Sequence, residues 1–115
     1  MDGRTQLPAN EYLRKKYSVD YVDTITEPGP VRILAEENES FLAQSILSRI
    51  EISVNKHKSS VVAIIAHYDC LGNPLNEEKQ LKQLEAATKW LGGKFPNIEI
   101  LGLWVNSDWN VVQRY

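Results

Sequence analysis

The sequence predicts an α/β domain: a mainly parallel sheet with helices on both faces and a C-terminal antiparallel edge strand. Three observations predict it. Ser60-Val61-Val62-Ala63-Ile64-Ile65-Ala66 is a continuous run rich in β-branched residues, the pattern of a strand covered on both faces. Ile98-Glu99-Ile100-Leu101-Gly102-Leu103-Trp104-Val105 is a second such run. Between them Leu81, Leu84, Ala87 and Leu91 recur at helical spacing, which makes a strand–helix–strand unit.

In chain order, the first element is a short helix near Pro8–Tyr17, with Leu13 and Tyr17 turned inward and Arg14, Lys15 and Lys16 solvated. Tyr21–Thr26 reads as a strand, stopped by the turn residues Glu27-Pro28-Gly29-Pro30. A second helix spans about Glu39 to Lys56, with Leu42, Ile46, Ile50 and Val54 on one stripe. The strand Val61–Ala66 follows. Asn76 then caps a helix whose first turn carries Glu77 and Glu78, acids that suit the positive end of the helix dipole, and Gly92-Gly93 supplies its stop. Ile98–Val105 begins after Pro96-Asn97, and Val111–Arg114 returns antiparallel through a turn at Asp108-Trp109-Asn110. The chain opens on a helix, whereas folds of this kind usually begin with a buried strand.

Composition narrows the function. The 115 residues make one domain, residues 1–115, with 43% hydrophobic and 24% charged residues, an ordinary globular balance. A net charge of −2 lacks the basic footprint of a nucleic-acid binder. The longest apolar run, Val61–Ala66, falls far short of the roughly 20 residues that span a bilayer. No apolar signal-peptide core follows the N-terminus, so a soluble, cytoplasmic domain is expected. The single cysteine, Cys70, leaves no intrachain disulfide, and the fold must rest on its core.

In open α/β sheets ligands collect beyond the carboxyl ends of the strands. The run Val61–Ala66 ends in His67-Tyr68-Asp69-Cys70, so an imidazole and a thiol, both good Zn²⁺ ligands, stand where a site is expected. The plain alternative is a histidine that ends a strand and a cysteine that behaves as a small hydrophobe. Asp69 reads as a turn residue bonding local backbone. His57, in the polar stretch Asn55-Lys56-His57-Lys58, is either a proton shuttle or a surface histidine without a role. Trp90, Trp104 and Trp109 lack interleaved basic residues and read as core or interface anchors. Gly92-Gly93 follows a helix instead of opening one, which argues against a nucleotide site.

Met1-Asp2-Gly3-Arg4 followed by a helix, then His67-x-x-Cys70 after a buried strand, resembles the β-class carbonic anhydrases. In that family the first strand ends in a Cys-x-Asp-Ser-Arg type motif and the third parallel strand in His-x-x-Cys-Gly. The resemblance extends to Leu101-Gly102-Leu103-Trp104-Val105-Asn106, which is similar to a late strand of the family. It implies a zinc-dependent lyase interconverting CO2 and bicarbonate. His67 and Cys70 would be metal ligands, and Asp2 and Arg4 the catalytic dyad beside the metal-bound water. Zinc lowers the pKa of such water to about 7, Asp2 would orient it, and Arg4 would grip Asp2 in a planar fork from two residues along an extended strand end.

The sequence also departs from the family. The position of the first zinc cysteine falls immediately before Met1, and the strand that carries it is not among these residues. Gly3 replaces a serine, Leu71 stands where a glycine usually follows the cysteine, and Pro28-Gly29-Pro30 does not reproduce the family's Asn-Ala-Gly segment. The expectation is a divergent or N-terminally clipped member. It would hold Zn²⁺ weakly, turn over poorly, and form a homodimer or higher homo-oligomer, with no nucleic acid and no membrane partner. The alternatives are a carbonic-anhydrase-like domain kept for binding or assembly, and a Cys70-dependent α/β enzyme. Asn73-Pro74 weakens the last, because it delays the helix whose dipole would acidify the thiol.

Overall fold

A computed structural model describes residues 1–115 as four helices and a three-stranded sheet. In chain order these are α1 (Gly3–Tyr17), α2 (Pro30–Glu36), α3 (Phe41–Lys56), β1 (Val61–His67), α4 (Glu77–Lys94), β2 (Glu99–Val105) and β3 (Val111–Gln113). The sheet order is β1-β2-β3. β1 and β2 pair in parallel from Val61–Glu99 to His67–Val105, and β3 returns antiparallel along β2. The α/β class and the antiparallel edge strand are therefore as expected. No helix is long and apolar enough to cross a membrane.

The core follows from the strand period of two. Val62, Ile64 and Ala66 share one face of β1 with Ile100 and Trp104 of β2, and meet Val31, Ile33 and Leu34 of α2, Ile46 and Ile50 of α3, and Leu84, Ala87 and Leu91 of α4. Gly102 on this face lets α4 approach closely: a methyl group there would lie 3.1 Å from Leu84 Cγ and 3.0 Å from Thr88 Oγ1. On the opposite face Leu101, Leu103 and Val105 are fully buried. α1 crosses that side, tied at one end by Tyr17 Oη donating to Glu99 at 3.0 Å and at the other by Arg4 over the Trp109 ring.

Five expectations need correction. Tyr21–Thr26 is not a strand: its residues carry no regular secondary structure and make no main-chain hydrogen bond, and the nearest sheet edge lies across a cavity. Leu42 does not join the inward stripe of α3; it lies 45% exposed in the first turn, and Ala43, Ile46, Leu47 and Ile50 face the core instead. Gly92-Gly93 does not stop α4, which runs on to Lys94. Glu27–Pro30 does more than turn the chain. Gly29 takes a left-handed conformation (φ 60°) and Pro30 opens α2, the helix-start position that suits its fixed φ and missing N–H. Finally, α1 begins at Gly3, so Asp2 and Arg4 belong to a helix start and not to a strand end.

Candidate functional site

Asp2 is the N-cap of α1, its Oδ1 accepting from the Arg4 backbone N–H at 3.0 Å. The Arg4 side chain then folds back onto the same carboxylate, with Nε 3.0 Å from Oδ1 and Nη2 2.7 Å from Oδ2. The fork expected from the sequence is present, made from the first turn of a helix. These bonds from Arg4, side chain first and backbone second, hold the Asp2 carboxyl well below the usual carboxylate range, and the nearby His67 adds to the effect. Arg4 also reaches Asp69, with Nη1 at 3.1 Å from Oδ2 and Nη2 at 3.2 Å from the main-chain oxygen, while its guanidinium lies 4.6 Å from the centre of the Trp109 ring. Asp69 is thus a turn residue in left-handed conformation (φ 56°) whose side chain serves Arg4 and not its own backbone.

His67 ends β1 and is 8% exposed, as is Cys70 in the loop that follows. His67 Nδ1 lies 2.8 Å from the Tyr68 carbonyl oxygen. An N–H at Nδ1 donating there leaves Nε2 as the free ring nitrogen, the arrangement seen when a backbone carbonyl orients a metal-binding histidine. Two glutamines on the inner stripe of α4 anchor this loop. Gln80 Nε2 donates to the carbonyls of His67 and Leu75 at 3.1 and 3.0 Å, and Gln83 Oε1 accepts from Asn73 Nδ2 at 2.7 Å. Sequence reasoning missed both. Their signal was available: Gln80 and Gln83 occupy the same helical stripe as Leu84, Ala87 and Leu91, where an unpaired amide would be costly.

Asp2, His67 and Cys70 all line one cavity of about 800 Å³. His57 lines the same cavity but at its far end, apart from these three. It caps the C-terminus of α3 at the opposite end of β1, roughly 20 Å away by strand rise, with Nδ1 2.6 Å from Asp23 Oδ2. Ser53 also donates to that oxygen at 2.5 Å, and together Ser53 and His57 lower the pKa of Asp23.

The donor set does not fit a complete zinc centre. No three His, Cys, Asp or Glu side chains converge. Asp2, which lines the same cavity as His67 and Cys70, has both oxygens engaged by Arg4. Residues 1–115 thus offer an oriented imidazole and a thiol, short of the three protein ligands that catalytic zinc sites use.

A family model described as "Putative carbonic anhydrase" matches residues 1–114. No curated protein and no solved structure matches the chain.

Proposed function

The chain belongs to this carbonic-anhydrase-like family, and on that premise we propose that it carries an incomplete CO2/bicarbonate site. Asp2 and Arg4 are its dyad, and His67 and Cys70 are two of its three zinc ligands. The observation that carries this reading is the presence of Asp2, His67 and Cys70 on one cavity, with Asp2 held ionised. An ionised Asp2 only accepts hydrogen bonds, so it fixes the direction of a donor beside it. Arg4, whose three nitrogens are all engaged by Asp2 and Asp69, positions that carboxylate instead of binding substrate itself. His67 supplies a nitrogen at Nε2. The apolar walls of the cavity, including Ile64, Ile65 and Leu71, admit CO2.

With the third ligand position lying ahead of Met1 in the family pattern, residues 1–115 should bind zinc substoichiometrically and hydrate CO2 poorly. Metal analysis after zinc loading and dialysis, paired with stopped-flow CO2 hydration, tests this. A cysteine-bearing strand added ahead of Met1 should raise both readings together, and Cys70→Ser or His67→Ala should abolish the gain. Stoichiometric zinc in the 115-residue chain, unchanged by Cys70→Ser, would overturn the assignment. The incomplete donor set also supports a second reading, a non-catalytic binding or assembly domain, which predicts no hydration even after the ligand is restored.

We further infer a homodimer or higher oligomer. Leu7, Phe41, Ile52 and Leu71 are each more than half exposed, apolar side chains that a second copy would cover. A sedimentation profile with only a 13.1 kDa species at micromolar concentration would refute it.

A further inference from the structure

Arg4 is held by three segments of the chain. Its own helix start supplies Asp2, the loop after β1 supplies Asp69, and the turn between β2 and β3 supplies the Trp109 ring. The two carboxylates and the Asp69 main-chain oxygen take N–H groups along the edges of the guanidinium, and Trp109 covers a face, with Cζ 4.6 Å from the ring centre. The hydrogen bonds alone would hold this cation loosely. The Arg4 side chain is 45% exposed and that of Asp69 55%, and exposed ion pairs of this kind give way readily to water. A fork bonded along its edges can still hinge out of plane. An aromatic ring against its face removes that freedom, and the ring quadrupole attracts the cation.

The backbone beneath the ring points the same way. Four non-glycine residues have positive φ, and two of them, Asp69 (56°) and Trp109 (61°), are the two that reach Arg4 from other segments. Left-handed backbone is unfavourable for a bulky L-residue, whereas glycine adopts it freely. Asn106 builds the turn that enforces it. Its main-chain oxygen accepts from Trp109 N, its N–H donates to Asn110 O, and its Oδ1 accepts from the N–H groups of Asp108 and Asn110, all at 3.0 Å. The turn thus keeps a tryptophan where glycine would sit with less strain, and the ring it presents lies over Arg4. We propose that Trp109 is a positioning residue for the Asp2–Arg4 pair: its ring keeps the guanidinium in the orientation that forks Asp2, and Asn106 keeps the ring in place. The inference rests on the reading of Asp2 and Arg4 as the dyad of a CO2/bicarbonate site, although the contact itself involves neither metal nor substrate.

The test is nuclear magnetic resonance of the Arg4 side chain in the 115-residue chain and in its Trp109→Gly and Trp109→Phe variants. Glycine removes the ring and accepts a φ of 61°, so the turn keeps its shape; phenylalanine returns a smaller face at the same place. Trp109→Gly should speed exchange of the Arg4 Nε–H with water by about fivefold, the worth of a half-exposed cation–π contact, and abolish the ring-current shift of the Arg4 side-chain protons. Trp109→Phe should restore most of both. The backbone amides of α1 beyond its first turn should exchange equally in all three chains. Unchanged Arg4 exchange in Trp109→Gly would overturn the proposal. Faster exchange along the whole of α1 would also overturn it, by making Trp109 a structural anchor of that helix. The measurement needs neither zinc nor CO2, so its failure is distinct from failure of the assigned reaction, which metal analysis and CO2 hydration read.

Discussion

The main chains of Gly29 and Gly72 are in direct contact: a methyl group on Gly29 would stand 2.6 Å from the Gly72 carbonyl oxygen, and one on Gly72 would stand 2.7 Å from the Gly29 nitrogen. This contact locks the turn that opens α2 to the loop that carries Cys70. Neither glycine can gain a side chain without separating the two segments. Gly72→Ala should lower stability by about 1–3 kcal/mol through overpacking. Gly29→Ala should cost about 1–2 kcal/mol more, because its φ of 60° is also strained for an L-residue. Urea midpoints for the two variants check both the sign and the order.

Asp2 has two roles that substitution can separate. Asn caps helices as well as Asp but carries no charge, so Asp2→Ala should lose about 0.5–2 kcal/mol of helix capping that Asp2→Asn retains. The charged role shows in pH dependence. Arg4 lowers the Asp2 pKa in the folded chain, so the ionised carboxylate stabilises the fold above the ordinary carboxylate pKa and that contribution is lost as pH falls through the depressed folded value. The stability gap between the parent and Asp2→Asn should be constant from pH 5 to 8 and shrink below about pH 4. A gap that widened in acid would reverse the assignment.

Gln80 decides whether the His67 loop is rigid. Replacing it with Leu leaves two carbonyls, of His67 and Leu75, without their donor, at about 1–3 kcal/mol for each that water cannot reach. Gln80→Leu should therefore lower Tm and broaden the His67 imidazole resonances, while Gln80→Glu should restore at most part of the packing. Sharp, unshifted His67 signals in Gln80→Leu would show that the loop needs no such anchor.

Tyr17 reports on the packing of α1 against the sheet. Burial, with help from the hydrogen bond to Glu99, pushes its hydroxyl up to about 12. Because the folded chain holds this proton more tightly than the unfolded chain, stability should fall as pH rises from about 10 through 12. Ultraviolet titration should show one tyrosine ionising late, and Tyr17→Phe should remove that step.

Periodic features were legible in the sequence. Val61–Ala66, the Leu84–Ala87–Leu91 stripe and the β2–β3 return all appear where the alternation of apolar residues placed them, because burial decides those positions residue by residue. What failed depended on partners. Tyr21–Thr26 has strand composition, but a strand exists only when another edge lies within bonding distance, and none does. α2 escaped notice because its seven residues give barely two turns of periodicity behind a Pro-Gly-Pro turn. At the candidate site, Asp2, Arg4, His67 and Cys70 were singled out by motif, whereas the bond from Arg4 to Asp69 spans 65 residues and left no local trace. Gln80 and Gln83 were visible only as polar interruptions of an apolar stripe.

The bare side of β1 also sets how the protein behaves when crowded. Val61–Ala66 is six apolar residues without charge or proline, the composition of segments that stack into cross-β fibrils. Its cover is Asp20–Thr26, which no main-chain bond holds in place. Mild heating that releases this cover well below global unfolding would present a flat, adhesive template to other copies. Concentrated solutions should then gel or bind thioflavin at temperatures where circular dichroism is still native. A lysine in place of Ala63 would put a charge in the middle of the template and delay the onset.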